Sequence, residues 1–171
     1  TSFRQKYEKE TREWEGDGPL RTLIAVMNSF SAANKKAWIY ANVDVPSVVN
    51  ALAMGIILQH HDWGHKNYRM VRTPQGKWQI VPTDLDLTLG RKPTFTQGPF
   101  TDTVVVKDPF EHPGTPLFNP FWFDAELDSM VDRRVRSLSE QLLNPAWIEG
   151  RIAALNDLVR EEAALDRQGW G

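Results

Sequence analysis

Between residues 68 and 81 the chain carries two short runs of strand-forming residues, Tyr68-Arg69-Met70-Val71 and Trp78-Gln79-Ile80-Val81. They flank the turn-forming run Thr73-Pro74-Gln75-Gly76-Lys77, and this combination reads as a β-hairpin. The other strong apolar patterns have helical spacing. The expected fold class is therefore α+β, mainly helical, with a single hairpin in the middle.

Gly16-Asp17-Gly18-Pro19 punctuates the chain, and Pro19 suits a first helical turn. Leu20, Leu23, Ile24, Met27 and Phe30 follow at three- and four-residue spacing, which predicts a helix with one buried face. A second helix is predicted from about Asp44–Pro46, with Asp44 as its cap and Val48, Val49, Leu52, Ile56 and Leu58 as its stripe. From Arg91 to about Asn119 the chain is irregular and rich in Thr and Pro, and a loop this long inside a compact domain is usually functional or mobile. Two helices close the sequence. Leu127, Met130, Val131, Val135, Leu138 and Leu142 mark the first; Asn144-Pro145 opens the second, with Ile148, Ile152, Leu155 and Val159 as its face. The aromatic residues Trp63, Trp78, Phe118, Phe121, Trp122, Phe123 and Trp147 are assigned to the core and its packing.

Composition narrows the function by exclusion. The 171 residues suffice for one domain with a real core. Twenty basic side chains against 22 acidic ones create no field that would draw in nucleic acid or a membrane surface. An aromatic platform for single-stranded nucleic acid would need a basic groove beside it. No cysteine is present, so disulfides, thiolate metal sites and a cysteine nucleophile are all excluded. No apolar run reaches the roughly 18–20 residues that span a bilayer.

The chemistry gathers around the hairpin. The second helix runs into His60-His61-Asp62-Trp63-Gly64-His65-Lys66-Asn67, and the hairpin runs out into Pro82-Thr83-Asp84-Leu85-Asp86-Leu87-Thr88-Leu89-Gly90. Phosphoryl transfer needs a carboxylate near the attacking hydroxyl and oxygen ligands for the metal on the nucleotide phosphates. In the protein-kinase template an Asp and an Asn five residues later share the catalytic loop, while a second Asp follows a hairpin. Asp62 and Asn67 have that spacing, and a hairpin between them and Asp84 can fold Asp84 back beside Asn67. An Asp-x-x-x-x-Asn match alone arises in many chains, and a lone surface Asp is ordinarily a cap or turn residue. The ordered set of helix, loop, hairpin and second acidic loop is what sets this sequence apart.

The pieces His61-Asp62-x-x-x-x-Asn67-Tyr68-Arg69, Gly76-Lys77-Trp78 and Pro82-Thr83-Asp84-Leu85-Asp86-Leu87-Thr88-Leu89-Gly90 resemble the signature of the CotH family of spore-coat protein kinases. The resemblance is dense over about Asp44–Gly90 and diffuse elsewhere. It implies an atypical kinase fold in which this chain, residues 1–171, is one kinase-like C-terminal lobe, with the hairpin between a catalytic loop and a metal-binding loop. It further implies ATP with Mg2+ or Mn2+, transfer of the γ-phosphate to Ser or Thr of a protein substrate, and a setting in a spore coat, at a cell surface or in secretion. Carried over by position, Asp62 is the catalytic carboxylate that orients or deprotonates the acceptor. Asn67 and Asp84 bind the metal–nucleotide, with Asp86 as a further metal ligand.

Two departures from the family pattern stand out. Thr83 occupies a position where the family usually has Trp. There is also no glycine-rich phosphate cover and no strand-borne nucleotide lysine, so a small lobe is expected upstream of Thr1 and the isolated chain is expected to be inactive. Thr94, Thr96, Thr101 and Thr103 fall where a kinase activation segment would run. Two other readings compete. His61-Asp62 at the end of an apolar helix resembles the metal-chelating pair of HD-type phosphohydrolases, although that site also draws on a histidine from an earlier helix and His60 is the first in this chain. The third reading is a non-catalytic surface or binding module with a degenerate kinase fold.

Overall fold

The computed structural model describes residues 8–29, 31–60, 66–89 and 118–170. Along them run α1 (Gly18–Ser29), α2 (Ala32–Asn42), α3 (Val45–Ile57), β1 (Tyr68–Arg72), β2 (Trp78–Pro82), α4 (Asn119–Phe123), α5 (Ala125–Leu142) and α6 (Pro145–Trp170). The mainly helical chain with one antiparallel hairpin is the arrangement expected from the sequence. No helix among the described residues is long and apolar enough to cross a membrane.

Helix α3 is the centre of the assembly. Asp44 caps it by accepting a hydrogen bond from the Ser47 N–H at 3.2 Å, and Pro46 lies in its first turn, where no intrahelical N–H is lost. Val48, Val49 and Leu52 are buried as the periodicity requires, but so are Val45, Ala51, Ala53 and Gly55. Burial extends beyond a single stripe because α3 packs against α5 on one side and β2 on another. Leu52 is fully buried, so trimming it to Ala would cost about 2–5 kcal/mol.

The hairpin pairs Tyr68 with Pro82, Met70 with Ile80 and Arg72 with Trp78. Its far end closes through the Thr73 N–H to the Lys77 C=O at 2.8 Å, with Gly76 at φ 81°, a left-handed conformation that suits glycine. Alternation sends Trp78 and Ile80 inward and leaves Val71 and Val81 outside. The start of α3 is sewn to β2 by the Asp44 N–H, which donates to the Trp78 C=O at 2.9 Å, and by a parallel bridge between Val43 and Trp78. The Gln79 side-chain amide adds a 2.7 Å bond to the Asp44 carboxylate.

Helix α5 presents Leu127, Val131 and Leu138 to the core and is capped by Asp124, whose carboxylate accepts from the Glu126 and Leu127 N–H groups. Phe118 and Phe121 are buried beside it, and Phe118 meets Tyr68 edge to face at 5.6 Å.

Four features depart from the sequence reading or were absent from it. Helix α2 lacks an apolar stripe: Ile39 is its only buried residue, so no periodicity marks it, although Ser31 caps it. Helix α4 begins where the segment expected to be irregular ends, with no pattern to announce it, and residues 90–117 lie outside the described residues. Of the aromatic residues assigned to packing, Phe123 is 83% exposed and Trp147 54%, whereas Trp63 lies outside the described residues. Helix α6 forms with Asn144 accepting from the Trp147 N–H at 3.2 Å, yet its predicted face is not buried: Ile152, Leu155 and Val159 are all exposed.

Candidate functional site

The site grows from the end of α3. Leu58 is the last helical cap, and Gln59 follows at φ 48°. The Gln59 N–H donates to the Ile56 C=O and the His60 N–H to the Gly55 C=O, both at 3.0 Å. This paired closure is a Schellman motif with Gln where glycine is usual. It turns the chain sharply and drives the His60 side chain, only 1% exposed, into the interior. His60 thus anchors the start of the loop that carries Asp62.

Lys66 and Asn67 lead into β1. Asn67 is half-buried with φ 59°, and its C=O accepts from the Thr83 N–H at 2.9 Å, one step beyond the Tyr68–Pro82 pair. Asp84 comes next, exposed and at φ 56°. The segment then curls through a turn in which the Thr88 hydroxyl donates to the Leu85 C=O at 3.0 Å. It buries Leu87 and ends with the Leu89 N–H donating to the Leu58 C=O at 2.7 Å.

Segment 83–89 is therefore tied at one end to Asn67 and at the other to the terminus of α3. These two points lie on either side, in sequence, of residues 61–65, which include Asp62. Asn67 and Asp84 stand at the same end of the hairpin, on backbones joined through Thr83, as the reading of the hairpin requires. Asp86 lies between two leucines on the outer side of the segment and is exposed. Asp62, with His61 and Trp63–His65, lies outside the described residues, as do Thr94, Thr96, Thr101 and Thr103.

Among the described residues, five non-glycine positions have positive φ, and four of them (Gln59, Asn67, Asp84 and Leu89) belong to this junction. Asn and Asp tolerate the left-handed region through local hydrogen bonding. Gln and Leu pay about 1–2 kcal/mol for it. Backbone strain of this kind concentrates where the surrounding structure fixes a geometry for function. Of these positions the sequence reading picked out only the Asn and Asp; Gln59 and Leu89 have no residue-type signal for this conformation.

Comparison with known proteins settles the family. The family profile described as "CotH kinase protein" matches residues 2–171. The chain belongs to the CotH family. This CotH chain is also similar to "Inner spore coat protein H" of Bacillus subtilis (strain 168), with 32% identity over 92 residues. That match covers 53% of the chain and 25% of the relative, so the CotH chain accounts for about a quarter of the relative's length. No solved structure matches it.

A second polar cluster, away from the CotH loops, fastens α2 to the start of α5. Lys36 Nζ lies 2.8 Å from Glu126 and 2.9 Å from Asp124, and the Tyr40 hydroxyl donates to Glu126 at 2.6 Å. Hydrogen bonding to Glu126, then to Asp124, raises the Lys36 pKa well above its ordinary value. Lys36 in turn holds the carboxyls of Asp124 and Glu126 below theirs, and the Glu126 bond pushes the Tyr40 phenol up. No sequence pattern marks this cluster, because two of its members lie on helix α2, which has no apolar periodicity. Among the described residues no group of three His, Asp or Glu side chains is placed to hold a metal by themselves.

Proposed function

We propose that residues 1–171 are the lobe of an atypical protein kinase that carries the acceptor-orienting carboxylate and the metal-holding groups. The acceptor is a Ser or Thr hydroxyl of a protein, and the nucleotide is covered by a lobe outside these residues. The observation that supports this best is the double tether of segment 83–89. A kinase needs its second acidic loop beside the Asn of its catalytic loop, and the Asn67–Thr83 and Leu58–Leu89 bonds fasten the acidic segment to Asn67 and to the end of α3.

The donor set fits a hard divalent cation. Asp84 and Asp86 offer exposed carboxylates and Asn67 an amide oxygen, and Mg2+ or Mn2+ prefers such oxygen ligands with waters completing the shell. In this reading Asn67 and Asp84 would hold the ion with help from Asp86, and ATP bound with it would be the source of the γ-phosphoryl group. Asp62 accepts the acceptor's hydroxyl proton and orients its oxygen for attack. The burial of His60 and the closure at Gln59 fix where the Asp62 loop leaves α3. The likeness to a spore coat protein supports a spore coat as the setting.

The two carboxylates should fail differently in the full-length protein. Asp62→Asn should abolish phosphate transfer with nucleotide binding nearly intact, because it removes the proton acceptor and keeps the side-chain shape. Asp84→Asn should instead weaken metal-dependent nucleotide binding, because it removes a charged ligand. Kinetics separate lost transition-state stabilisation from lost ground-state binding. Wild-type turnover in Asp62→Asn would overturn the assignment.

A further inference from the structure

Helix α6 is 26 residues long, about 39 Å, and no described element packs broadly against it. It nevertheless carries an apolar stripe. Leu155 is 45% exposed, Leu158 77% and Leu165 61%, while Ile148 is half-buried. With Arg151 and Glu162 these positions alternate in steps of three and four residues: 148, 151, 155, 158, 162, 165. That is the seam of a two-helix coiled coil. Two charged residues in the middle of such a seam must find partners if another surface covers it.

Their placement specifies the partner. The seam is symmetric about the point midway between Leu155 and Leu158. When two copies of α6 run antiparallel about that point, Ile148 faces Leu165, Leu155 faces Leu158, and Arg151 faces Glu162. Each opposition occurs twice, as a two-fold axis demands. A parallel pair would instead set Arg151 against Arg151 and Glu162 against Glu162. An anionic membrane suits the helix poorly, since acidic residues outnumber basic ones along it. We propose that α6 pairs antiparallel with α6 of a second copy of this chain, the Arg151 of each meeting the Glu162 of the other.

Charge reversal tests this directly. The 171-residue protein should be dimeric by sedimentation equilibrium at micromolar concentration. Arg151→Glu or Glu162→Arg alone should weaken the dimer at least about tenfold, because each change creates two like-charge oppositions. The double exchange Arg151→Glu/Glu162→Arg should restore it. Mixing the two single variants should also give a heterodimer, since one then offers two acids and the other two bases. This mixing experiment shows that both variants remain folded, and circular dichroism on each checks that α6 stays helical. A wild-type chain monomeric up to about 0.1 mM would overturn the proposal and leave the stripe to another segment or partner. So would a dimer indifferent to the single reversals, the result that parallel pairing gives, or a double exchange and a mixture that both fail to recover it.

Discussion

Asp44 joins three elements, and removing its carboxylate should expose how much of the fold depends on that junction. Its side chain caps α3 through Ser47 and receives the Gln79 amide of β2, while its main-chain N–H reaches the Trp78 C=O. Asp44→Ala deletes the first two bonds and leaves the third. Loss of an N-cap costs about 1 kcal/mol, and loss of the partly buried amide–carboxylate bond about 1 kcal/mol more. The expected destabilisation is therefore about 2 kcal/mol. For a chain of this length it should lower Tm by about 4–8 °C. Equilibrium unfolding in urea should show an earlier midpoint at unchanged slope, because the surviving Trp78 bond keeps β2 in place and the surface exposed on unfolding stays the same. Asp44→Asn keeps one oxygen to accept from Ser47 but sets an NH2 donor where the second carboxylate oxygen met the Gln79 amide, so it should recover the cap's share, about half of the loss. Gln79→Ala should cost about 1 kcal/mol in the wild type and almost nothing in Asp44→Ala, since the two side chains share one bond. If Asp44→Ala stays within about 0.5 kcal/mol of wild type, the range of an ordinary surface substitution, the junction does not hold α3 to the hairpin.

Two further outcomes follow from the described geometry. Replacing Gln59 by Gly, which adopts the φ of 48° without strain, should raise stability by about 0.5–1 kcal/mol in the same urea assay; a loss would mean that the Gln59 side chain contributes more than its backbone costs. The Lys36–Asp124–Glu126–Tyr40 cluster should make stability fall at both pH extremes. The two lowered carboxyls contribute above their unfolded value near 4 and lose that contribution as pH drops through their folded values, while raised Lys36 and Tyr40 lose theirs as pH rises beyond about 10. Thermal melts of Lys36→Met should therefore flatten on the acid side relative to wild type, and an unchanged acid limb would refute the coupling.

The sequence announced those parts of the fold whose side chains repeat or punctuate. Asp44 and Pro46 marked the start of α3, the Thr73–Lys77 turn marked the hairpin, and the spacing from Leu127 to Leu142 marked α5. Helix α2 escaped notice because a helix that buries one residue needs no stripe. Helix α6 showed a stripe, but periodicity reports only that a face is apolar and not which surface covers it. In the candidate site, Asn67 and Asp84 were legible from residue type and order. The bonds that bring their loops together were not, since they join main-chain groups of Asn67, Thr83, Leu58 and Leu89 that any residue other than proline supplies. The left-handed turns at Gln59 and Leu89 were hidden for a related reason: their residue types do not favour them, so only the surrounding structure imposes them.

The two-ended fastening of segment 83–89 also bears on how chain length can vary in this part of the molecule. A stretch held by Thr83 at one end and Leu89 at the other, with Leu87 sunk between them, has a fixed count of residues. One residue more or fewer must release an end or withdraw the leucine, and either change swings Asp84 and Asp86 away from Asn67. The turn at Thr73–Lys77 lies a full strand away, roughly 17 Å along the hairpin; its main-chain bonds stay within the turn, and an exposed bond from the Lys77 ammonium to the Tyr40 C=O is its tie to α2. Extra residues there lengthen a solvent-facing tip and leave the acidic loop where it was. Natural length differences among relatives, and engineered tags or fused peptides, therefore belong at 73–77 and not at 83–89.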